Sequence, residues 1–177
     1  MTSSFRVSAL PDVEARFMVV LQRRANYPPL IGAARALGAA GEHAVVWQVI
    51  VVAGGIIDRK RRREWLMSLV AIVGAHAAAV VTKRVVRRPR PRVAGLQLLV
   101  PTMSGLSFPS SHSASTTAAA MSLSRLLGLP LAPLLPTAMG TARVVVGAHY
   151  PSDVLGGVLM GWSVDRLVSS LNSRQWT

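Results

Sequence analysis

The stretch "ARVVVGAHYPSD", residues 142 to 153, places a histidine and an aspartate four positions apart. Pro151 between them suits the first turn of a helix, so Asp153 would follow His149 by about one turn. A carboxylate in that position can bond one imidazole nitrogen, fix the tautomer and leave the other nitrogen free to attack an electrophile. A purely structural His–Asp pair is the alternative, and the neighbouring polar stretches bear on the choice.

The stretch "FPSSHS", residues 108 to 113, predicts that a helix begins at Pro109 to Ser111. The first N–H groups of a helix lack partners within it and, together with the helix dipole, they bind anions. Ser110 would add a hydroxyl donor, and His112 in the first turn would reach the leaving oxygen of a bound anion. A simple N-cap serine pair is the alternative.

The stretch "KRVVRRPRP", residues 83 to 91, follows directly on an apolar run. Lys83 supplies a mobile point charge, and Arg90 supplies a planar fork that suits phosphate oxygens. Pro89 and Pro91 would stiffen the loop around Arg90. The other arginines of this region are interpreted as ordinary positive charges flanking a transmembrane helix, namely Arg84, Arg87, Arg88 and Arg92.

Five apolar segments could position these stretches, at roughly 40 to 57, 65 to 82, 111 to 129, 130 to 147 and 152 to 171. Each approaches the ~20 residues that a helix needs to cross hydrocarbon. Alternating traversal would bring the end of the second, the start of the third, the end of the fourth and the start of the fifth to one membrane face. Arg143 would then join Lys83 and Arg90, so polar residues scattered in sequence would be gathered in space.

We therefore predict an all-α, polytopic membrane helix bundle with about five transmembrane helices. Residues 1 to 29 are predicted to be a peripheral segment with a short amphipathic helix at 13 to 25, and residues 30 to 177 to form a single transmembrane domain. The run from Asn26 to Pro29 would break the chain between them. Gly157 and Gly161 form a small-xxx-small pair, a pattern that permits close helix packing and also a homo-oligomer.

Composition favours a membrane protein over a soluble basic one. Hydrophobic residues make up 51% of the chain, the mean hydropathy is +0.41 and the net charge is +13. The basic residues lie between apolar stretches with few aromatics, which argues against nucleic-acid binding. The chain has no cysteine, so thiolate metal sites are excluded. A metal held by His112, His149 and Asp153 is disfavoured because neighbouring cations would repel it, and we expect no metal and no cofactor.

The positive-inside rule gives opposing signals on which membrane face carries the site. Five basic residues in the loop 58 to 64 lie opposite the site and favour an extracytoplasmic site. The arginines of the N-terminal segment lie on the site side and favour a cytoplasmic one.

Together the three polar stretches resemble the type 2 phosphatidic acid phosphatase superfamily, which shares its active site with vanadium haloperoxidases. The family signature is K-x6-R-P, then P-S-G-H, then S-R-x5-H-x3-D. This chain reads Lys83-x6-Arg90-Pro91, Pro109-Ser110-Ser111-His112 and Ala142-Arg143-x5-His149-x3-Asp153. Two positions depart from the signature, since Ser111 replaces the usual glycine and Ala142 the usual serine. The resemblance covers about residues 40 to 170.

The resemblance implies a metal-independent membrane phosphatase in which His149 attacks phosphorus, forms a phosphohistidine and is oriented by Asp153. His112 would protonate the leaving group and then activate water. The remaining motif residues would hold the phosphoryl oxygens, namely Lys83, Arg90, Ser110, Ser111 and Arg143. A vanadium haloperoxidase would share the site but is usually soluble and larger. A non-catalytic lipid-binding membrane protein would not need the two histidines.

The expected substrate is a lipid phosphate in the cell (inner) membrane. The compact size and "GAAGEH", residues 38 to 43, resemble small actinobacterial members of the superfamily, which implies decaprenylphosphoryl-5-phosphoribose, a precursor in cell-wall arabinan synthesis. Polyprenyl pyrophosphate, phosphatidic acid and phosphatidylglycerol phosphate are alternatives. Glu42 and His43 could bind sugar hydroxyls or simply cap a helix. His76, two turns below Lys83, is interpreted as a packed polar residue.

Overall fold

The computed structural model describes residues 10 to 173, so residues 1 to 9 of the predicted peripheral segment lie outside it. Within that range the chain forms helices and no β-strand. The α-helices are α1 Leu10–Arg24, α2 Pro28–Ala40, α3 Val45–Ile57, α4 Arg62–Val86, α5 Ser111–Leu127, α6 Leu131–Val145 and α7 Pro151–Ser173. Short 3₁₀ turns, Glu42–Ala44 and Arg59–Arg61, precede α3 and α4. The all-α prediction is confirmed.

Local sequence determines where the site-bearing helices begin. The Ser110 side chain accepts a hydrogen bond from the Ser113 N–H and caps α5, as the serine pair predicts. The helix α7 begins at Pro151, whose fixed φ and missing N–H suit a first turn. Both predicted helix starts are therefore confirmed, and each places a histidine beside a helix N-terminus.

The predicted apolar segment at roughly 40 to 57 corresponds to the 3₁₀ turn Glu42–Ala44 and α3, and a bend separates it from α2. The helices α2 and α3 meet at an angle of 51° around the 3₁₀ turn. His43 and Ala44 in that turn have positive φ angles of 49° and 59°, a region that residues other than glycine rarely adopt. Pro28, taken from the sequence as part of a chain break, instead begins α2. Glu42 and His43 therefore lie in the turn between α2 and α3 and not in a regular α-helix.

Small residues let the bundle pack tightly around α5. Over residues 113 to 120, every side chain of α5 is a buried Ser, Ala or Thr. On α7, a Cβ atom at Gly157 would overlap the Ser110 carbonyl oxygen, and one at Gly161 would overlap the Ala114 carbonyl oxygen. The predicted glycine pair therefore packs inside the chain against α5, so this face is not free for a homo-oligomer.

The exterior of the bundle is apolar, as expected for a protein in lipid. Large hydrophobic side chains are exposed along its helices, among them Val49, Ile56, Val81, Leu134, Leu155 and Leu159. By length and hydropathy, residues 59 to 86 form a candidate span, and α2 with α3 form a second one if the bent pair counts as one. These are the candidates among residues 10 to 173, so the figure of about five spans stays a prediction.

The N-terminal helix α1 is tied to the bundle rather than separate from it. The Gln22 amide donates to the Gln97 and Val145 carbonyl oxygens, at 2.8 and 2.9 Å. Met18 of the same helix is fully buried. The helix therefore packs against the loops around α6, at the end of the bundle where the polar stretches lie.

Candidate active site

The predicted site residues converge on one cavity. It has a volume of about 600 Å³ and is bounded by α4, the α4–α5 loop, the start of α5, the end of α6 and the loop before α7. The predicted residues that line it are Glu42, His43, Lys83, Arg90, Ser111, His112, Arg143 and His149. The gathering of sequence-distant polar groups at one end of the bundle is thus confirmed. Ser110 and Asp153 are fully buried just behind this lining.

His149 presents one nitrogen to a cationic donor and the other to a carboxylate. Its Nε2 atom lies 3.3 Å from Arg90 Nη1. Because a guanidinium only donates, Nε2 is the acceptor, and the proton of the neutral ring is on Nδ1. The Nδ1 atom is buried without a hydrogen-bond partner and lies 3.8 Å from Asp153 Oδ2, so a small rotation of the ring would complete that bond. This tautomer leaves Nε2 unprotonated, with its lone pair in contact with Arg90 Nη1 at the wall of the cavity.

The surroundings of His149 keep its ring neutral. Burial, together with the cations Arg90, Lys83 and Arg143, lowers the pKa of His149 to about 4, against the opposing effect of the Asp153 carboxylate. An imidazole with such a low pKa carries a free lone pair at neutral pH. A neutral, fully buried imidazole beside a carboxylate has the protonation state that a nucleophile requires.

Asp153 is fixed by hydrogen bonds from several elements. Its Oδ2 atom accepts from the Tyr150 N–H at 2.8 Å and from the Ser107 hydroxyl. Its Oδ1 atom accepts from Arg88 Nη1 at 2.9 Å. The interpretation of Arg88 as a mere flanking charge is therefore wrong, because its guanidinium turns inward and pairs with a fully buried carboxylate.

Three cationic groups line the cavity, and none of them forms a salt bridge with a carboxylate of residues 10 to 173. The Lys83 ammonium donates to the Ser107 and Leu106 carbonyl oxygens, at 3.2 and 3.4 Å. Arg143 is 4% exposed, and its buried Nε–H has no partner among the described residues. Arg90 donates to the Ser104 and Ala148 carbonyl oxygens as well as to the imidazole. Buried donors left partly unsatisfied beside a cavity make a binding site for an anion.

The start of α5 completes the anion site. Ser111 lines the cavity as the first residue of the helix, where N–H groups lack partners within it. Ser110 does not line the cavity, because its hydroxyl accepts from the Ser113 N–H and hydroxyl as the helix cap. Its predicted role as a phosphate ligand stays a prediction.

His112 and the bend between α2 and α3 form the opposite wall. His112 Nε2 lies 3.2 Å from the Gly38 carbonyl oxygen and 3.7 Å from Glu42 Oε2. His43 stands beside His76, with their ring centroids 6.1 Å apart. His76 also lines the cavity, and its buried Nδ1 atom has no partner among the described residues. His76 is therefore a cavity residue as well as a packed one.

The donor set does not suit a metal ion. The Asp153 carboxylate is directed at Arg88, Ser107 and the Tyr150 N–H, which leaves it turned away from the cavity. Within residues 10 to 173 no three His, Cys, Asp or Glu side chains are grouped as ligands. The cations that line the cavity suit an anionic ligand instead.

Comparison with known proteins identifies the family. Residues 64 to 176 match the model of the PAP2 superfamily. The chain belongs to the PAP2 superfamily. The decaprenylphosphoryl-5-phosphoribose phosphatase of Mycobacterium tuberculosis is 43% identical over 162 residues, which cover 91% of this chain and 92% of that protein. The Mycolicibacterium smegmatis protein of the same name is 43% identical over 85% of this chain and 84% of its own length.

A solved structure shares the fold of this PAP2 protein. The transmembrane PAP2-type phosphatidylglycerolphosphate phosphatase of Bacillus subtilis superposes with a TM-score of 0.74 at 22% identity, over 97% of this chain and 89% of that one. The resemblance drawn from the three motifs is thereby confirmed, together with membership of a membrane phosphatase family.

The sequence did not indicate the polar groups that contact Asp153 and Arg88 on the side of this PAP2 site away from the cavity. Ser107 lies just outside the second motif, yet its hydroxyl contacts Asp153. Glu14 and Arg88 are 74 residues apart and pair at 2.9 Å. The one available signal was that Arg88 lies inside the first motif, between Lys83 and Arg90. Ala142, which replaces the usual serine of the family, is 6% exposed and packs in an apolar cluster, without a polar contact to the cavity.

Proposed function

We propose that this protein is a multi-pass phosphatase of the cell (inner) membrane that removes the 5-phosphate from decaprenylphosphoryl-5-phosphoribose without a metal ion. Family membership and the two mycobacterial relatives support the reaction class and this substrate. The observation that carries the proposal is the cavity itself. It brings together a neutral imidazole, a second imidazole and three cations that have no carboxylate partner in the described part of the chain.

The proposed reaction has two displacements. When the phosphate binds, Arg90 Nη1 exchanges His149 Nε2 for a phosphoryl oxygen, and Nε2 attacks phosphorus. The phosphorus–oxygen ester bond breaks, and His112, in its imidazolium form, gives a proton to the leaving ribose oxygen and becomes the neutral imidazole. His112 then takes a proton from water, which attacks the phosphohistidine and releases phosphate with His149 restored. Lys83, Arg90 and Arg143 stabilise the charge on the equatorial oxygens in both steps. No step needs a further cation.

The bend between α2 and α3 is the proposed sugar subsite. Glu42 and His43 line the same cavity as the phosphate site and their side chains are about half exposed, at 47% and 56%. A carboxylate accepts hydrogen bonds from sugar hydroxyls, and an imidazole both donates and accepts them. Glu42→Gln and His43→Ala should therefore raise KM for a ribose-bearing substrate and leave KM for phosphatidic acid unchanged.

A substrate panel tests the proposal. Phosphate release is measured in detergent with EDTA present, from decaprenylphosphoryl-5-phosphoribose, phosphatidic acid, phosphatidylglycerol phosphate and undecaprenyl diphosphate. The ribose-bearing lipid should give the highest kcat/KM, and vanadate should inhibit all turnover. A higher kcat/KM for another lipid would overturn the substrate assignment. Release that requires an added divalent ion would overturn the metal-free mechanism.

A further inference from the structure

The carboxylate of Glu14, on the N-terminal helix α1, reaches the back of the site. Its Oε1 atom accepts from the Ser152 N–H at 2.6 Å, and its Oε2 atom accepts from the Ser152 hydroxyl at 2.8 Å. Ser152 is the second residue of α7, so Glu14 satisfies a free N–H group of that helix. The contact joins two helices that are 138 positions apart in sequence.

Arg88 connects Glu14 to the catalytic pair. Its Nη2 atom donates to Glu14 Oε2 and its Nη1 atom donates to Asp153 Oδ1, both at 2.9 Å. Nη1 also lies 2.6 Å from the Ser152 hydroxyl, and the guanidinium carbon stacks 4.2 Å from the centre of the Tyr150 ring. The arginine is therefore fixed on several sides between two carboxylates, and a point charge such as lysine could not replace its planar fork fully.

Besides its packing contacts, Arg88 has an electrostatic role, because it neutralises the buried charge of Asp153. Asp153 is fully buried, and an unpaired buried carboxylate is strongly unfavourable. Arg88 is the cation in direct contact with it among the described residues, since Lys83, Arg90 and Arg143 face the cavity beyond His149. Arg88 thus stabilises the ionised form of Asp153 and fixes the orientation of its carboxylate beside the imidazole of His149.

We propose that Glu14 and Arg88 are positioning residues of the phosphatase site: Glu14 fixes Arg88 and the start of α7, and Arg88 holds Asp153, which orients His149. The inference rests on the proposed role of His149. It makes α1 part of the active site, although α1 lies outside the residues 64 to 176 that match the family model. The N-terminal helix is then needed for catalysis and not only for contact with the membrane surface.

Steady-state kinetics of the full-length protein test the proposal. Arg88→Gln should lower kcat by roughly 10- to 100-fold and change KM little. This range is typical of groups that orient a functional side chain by hydrogen bonds without contacting the substrate. Arg88→Lys should recover part of the loss, and Glu14→Gln should give a smaller loss. The matched controls are Arg87→Gln and Arg16→Gln, which remove an exposed charge beside Arg88 and from α1. Their kcat should equal that of the wild type.

A double-mutant cycle shows whether Glu14 acts through Arg88. In the Arg88→Gln background, Glu14→Gln should change kcat by less than about twofold, because the arginine it positions is gone and the glutamine amide oxygen can still accept from the Ser152 N–H. If the fold-losses in kcat of the two single variants multiply in the double variant, the proposal that Glu14 acts through Arg88 is overturned. If Arg88→Gln fails to fold, Arg88→Lys and Glu14→Gln supply the same comparison, and wild-type kcat in both would overturn the proposal.

The pH profile separates positioning from a merely structural role. The charged and titratable groups that face His149 are Arg90 of the loop, Lys83 of α4, His112 of α5, Arg143 of α6 and Asp153 of α7. Removing the Arg88 charge leaves the Asp153 charge less compensated, which raises the pKa of His149. The acid limb of kcat/KM should move to higher pH in Arg88→Gln and stay in place in Arg87→Gln.

The possible failures are distinguishable. A wild-type protein without phosphatase activity, or an active His149→Ala variant, would refute the proposed function. An active wild type whose Arg88→Gln variant keeps kcat and the acid limb unchanged would refute the positioning role alone. A variant that loses folded protein but keeps wild-type kcat per folded molecule would give Arg88 a structural role only, which also overturns the inference.

Discussion

The contact between α5 and α7 gives a quantitative prediction, because it aligns the two helix starts that bear the site. A Cβ atom at Gly157 would lie 2.9 Å from Ser113 Cβ and 3.2 Å from the Ala114 nitrogen, besides overlapping the Ser110 carbonyl oxygen. Carbon atoms in contact prefer about 3.5 to 4.0 Å, so Gly157→Ala would push α7 away from α5 by roughly 1 Å. Asp153 lies one turn earlier on the moving helix, and His112 lies on the stationary one.

The size of the effect follows from this displacement. Overpacking of this kind costs about 1 to 3 kcal/mol, partly offset by the ~1 kcal/mol that alanine gains over glycine in a helix. A misplacement of ~1 Å between reacting groups costs about 100-fold in rate. The net cost is therefore up to about 2 kcal/mol, so Gly157→Ala should lower Tm by up to about 8 °C, at roughly 2 to 4 °C per kcal/mol. It should lower kcat by about two orders of magnitude.

The matched control is Gly32→Ala, since no atom of residues 10 to 173 lies within 4 Å of the added methyl group. That variant gains helix propensity alone, so its Tm should stay or rise and its kcat should not change. Gly161→Ala, one turn further from the site, should lower Tm like Gly157→Ala but reduce kcat less. Thermal unfolding and phosphate release in the same detergent provide both quantities. Wild-type Tm and kcat in Gly157→Ala would refute the close packing of the two helices as the device that aligns the site.

Two further predictions concern the opposite end of the bundle and the acid limb. Asp165 is fully buried and pairs with Arg125 through two contacts of 2.7 Å. Arg125→Ala should therefore lower the free energy of unfolding by about 3 kcal/mol and leave kcat per folded molecule unchanged. An unchanged Tm would contradict the pairing. The pKa of His149 is lowered to about 4, and protonation removes the attacking lone pair, so kcat/KM should begin to fall only below the usual histidine range as pH decreases. An acid limb at or above the ordinary histidine pKa of about 6.5 would contradict a neutral buried nucleophile.

The parts of the site that the sequence predicts are those set by short-range geometry. His149 and Asp153 are separated by one helical turn, and Pro151 places the helix start between them, so their relation needs no tertiary information. The cap at Ser110 is equally local. Alternating traversal then brings these starts to the end of the bundle where Lys83 lies, which is why the cavity could be anticipated.

The parts that the sequence does not predict depend on distant partners. Nothing in the residues around Glu14 indicates Arg88, because side-chain pairs across loops leave no periodic pattern. The positive φ angles of His43 and Ala44 are imposed by packing, since neither residue favours that conformation by itself. The glycine pair of α7 predicts a close packing face, but the same pattern fits a second copy of the chain or α5 as the partner.

The central claim is that His149 carries the phosphoryl group during turnover. Rapid quench into alkali, with substrate labelled in its terminal phosphate, preserves a phosphohistidine for mapping by mass spectrometry. The wild type should show label on His149 within a single turnover, and His149→Ala should show neither label nor phosphate release. Label on another residue, or turnover by the alanine variant, would contradict the account.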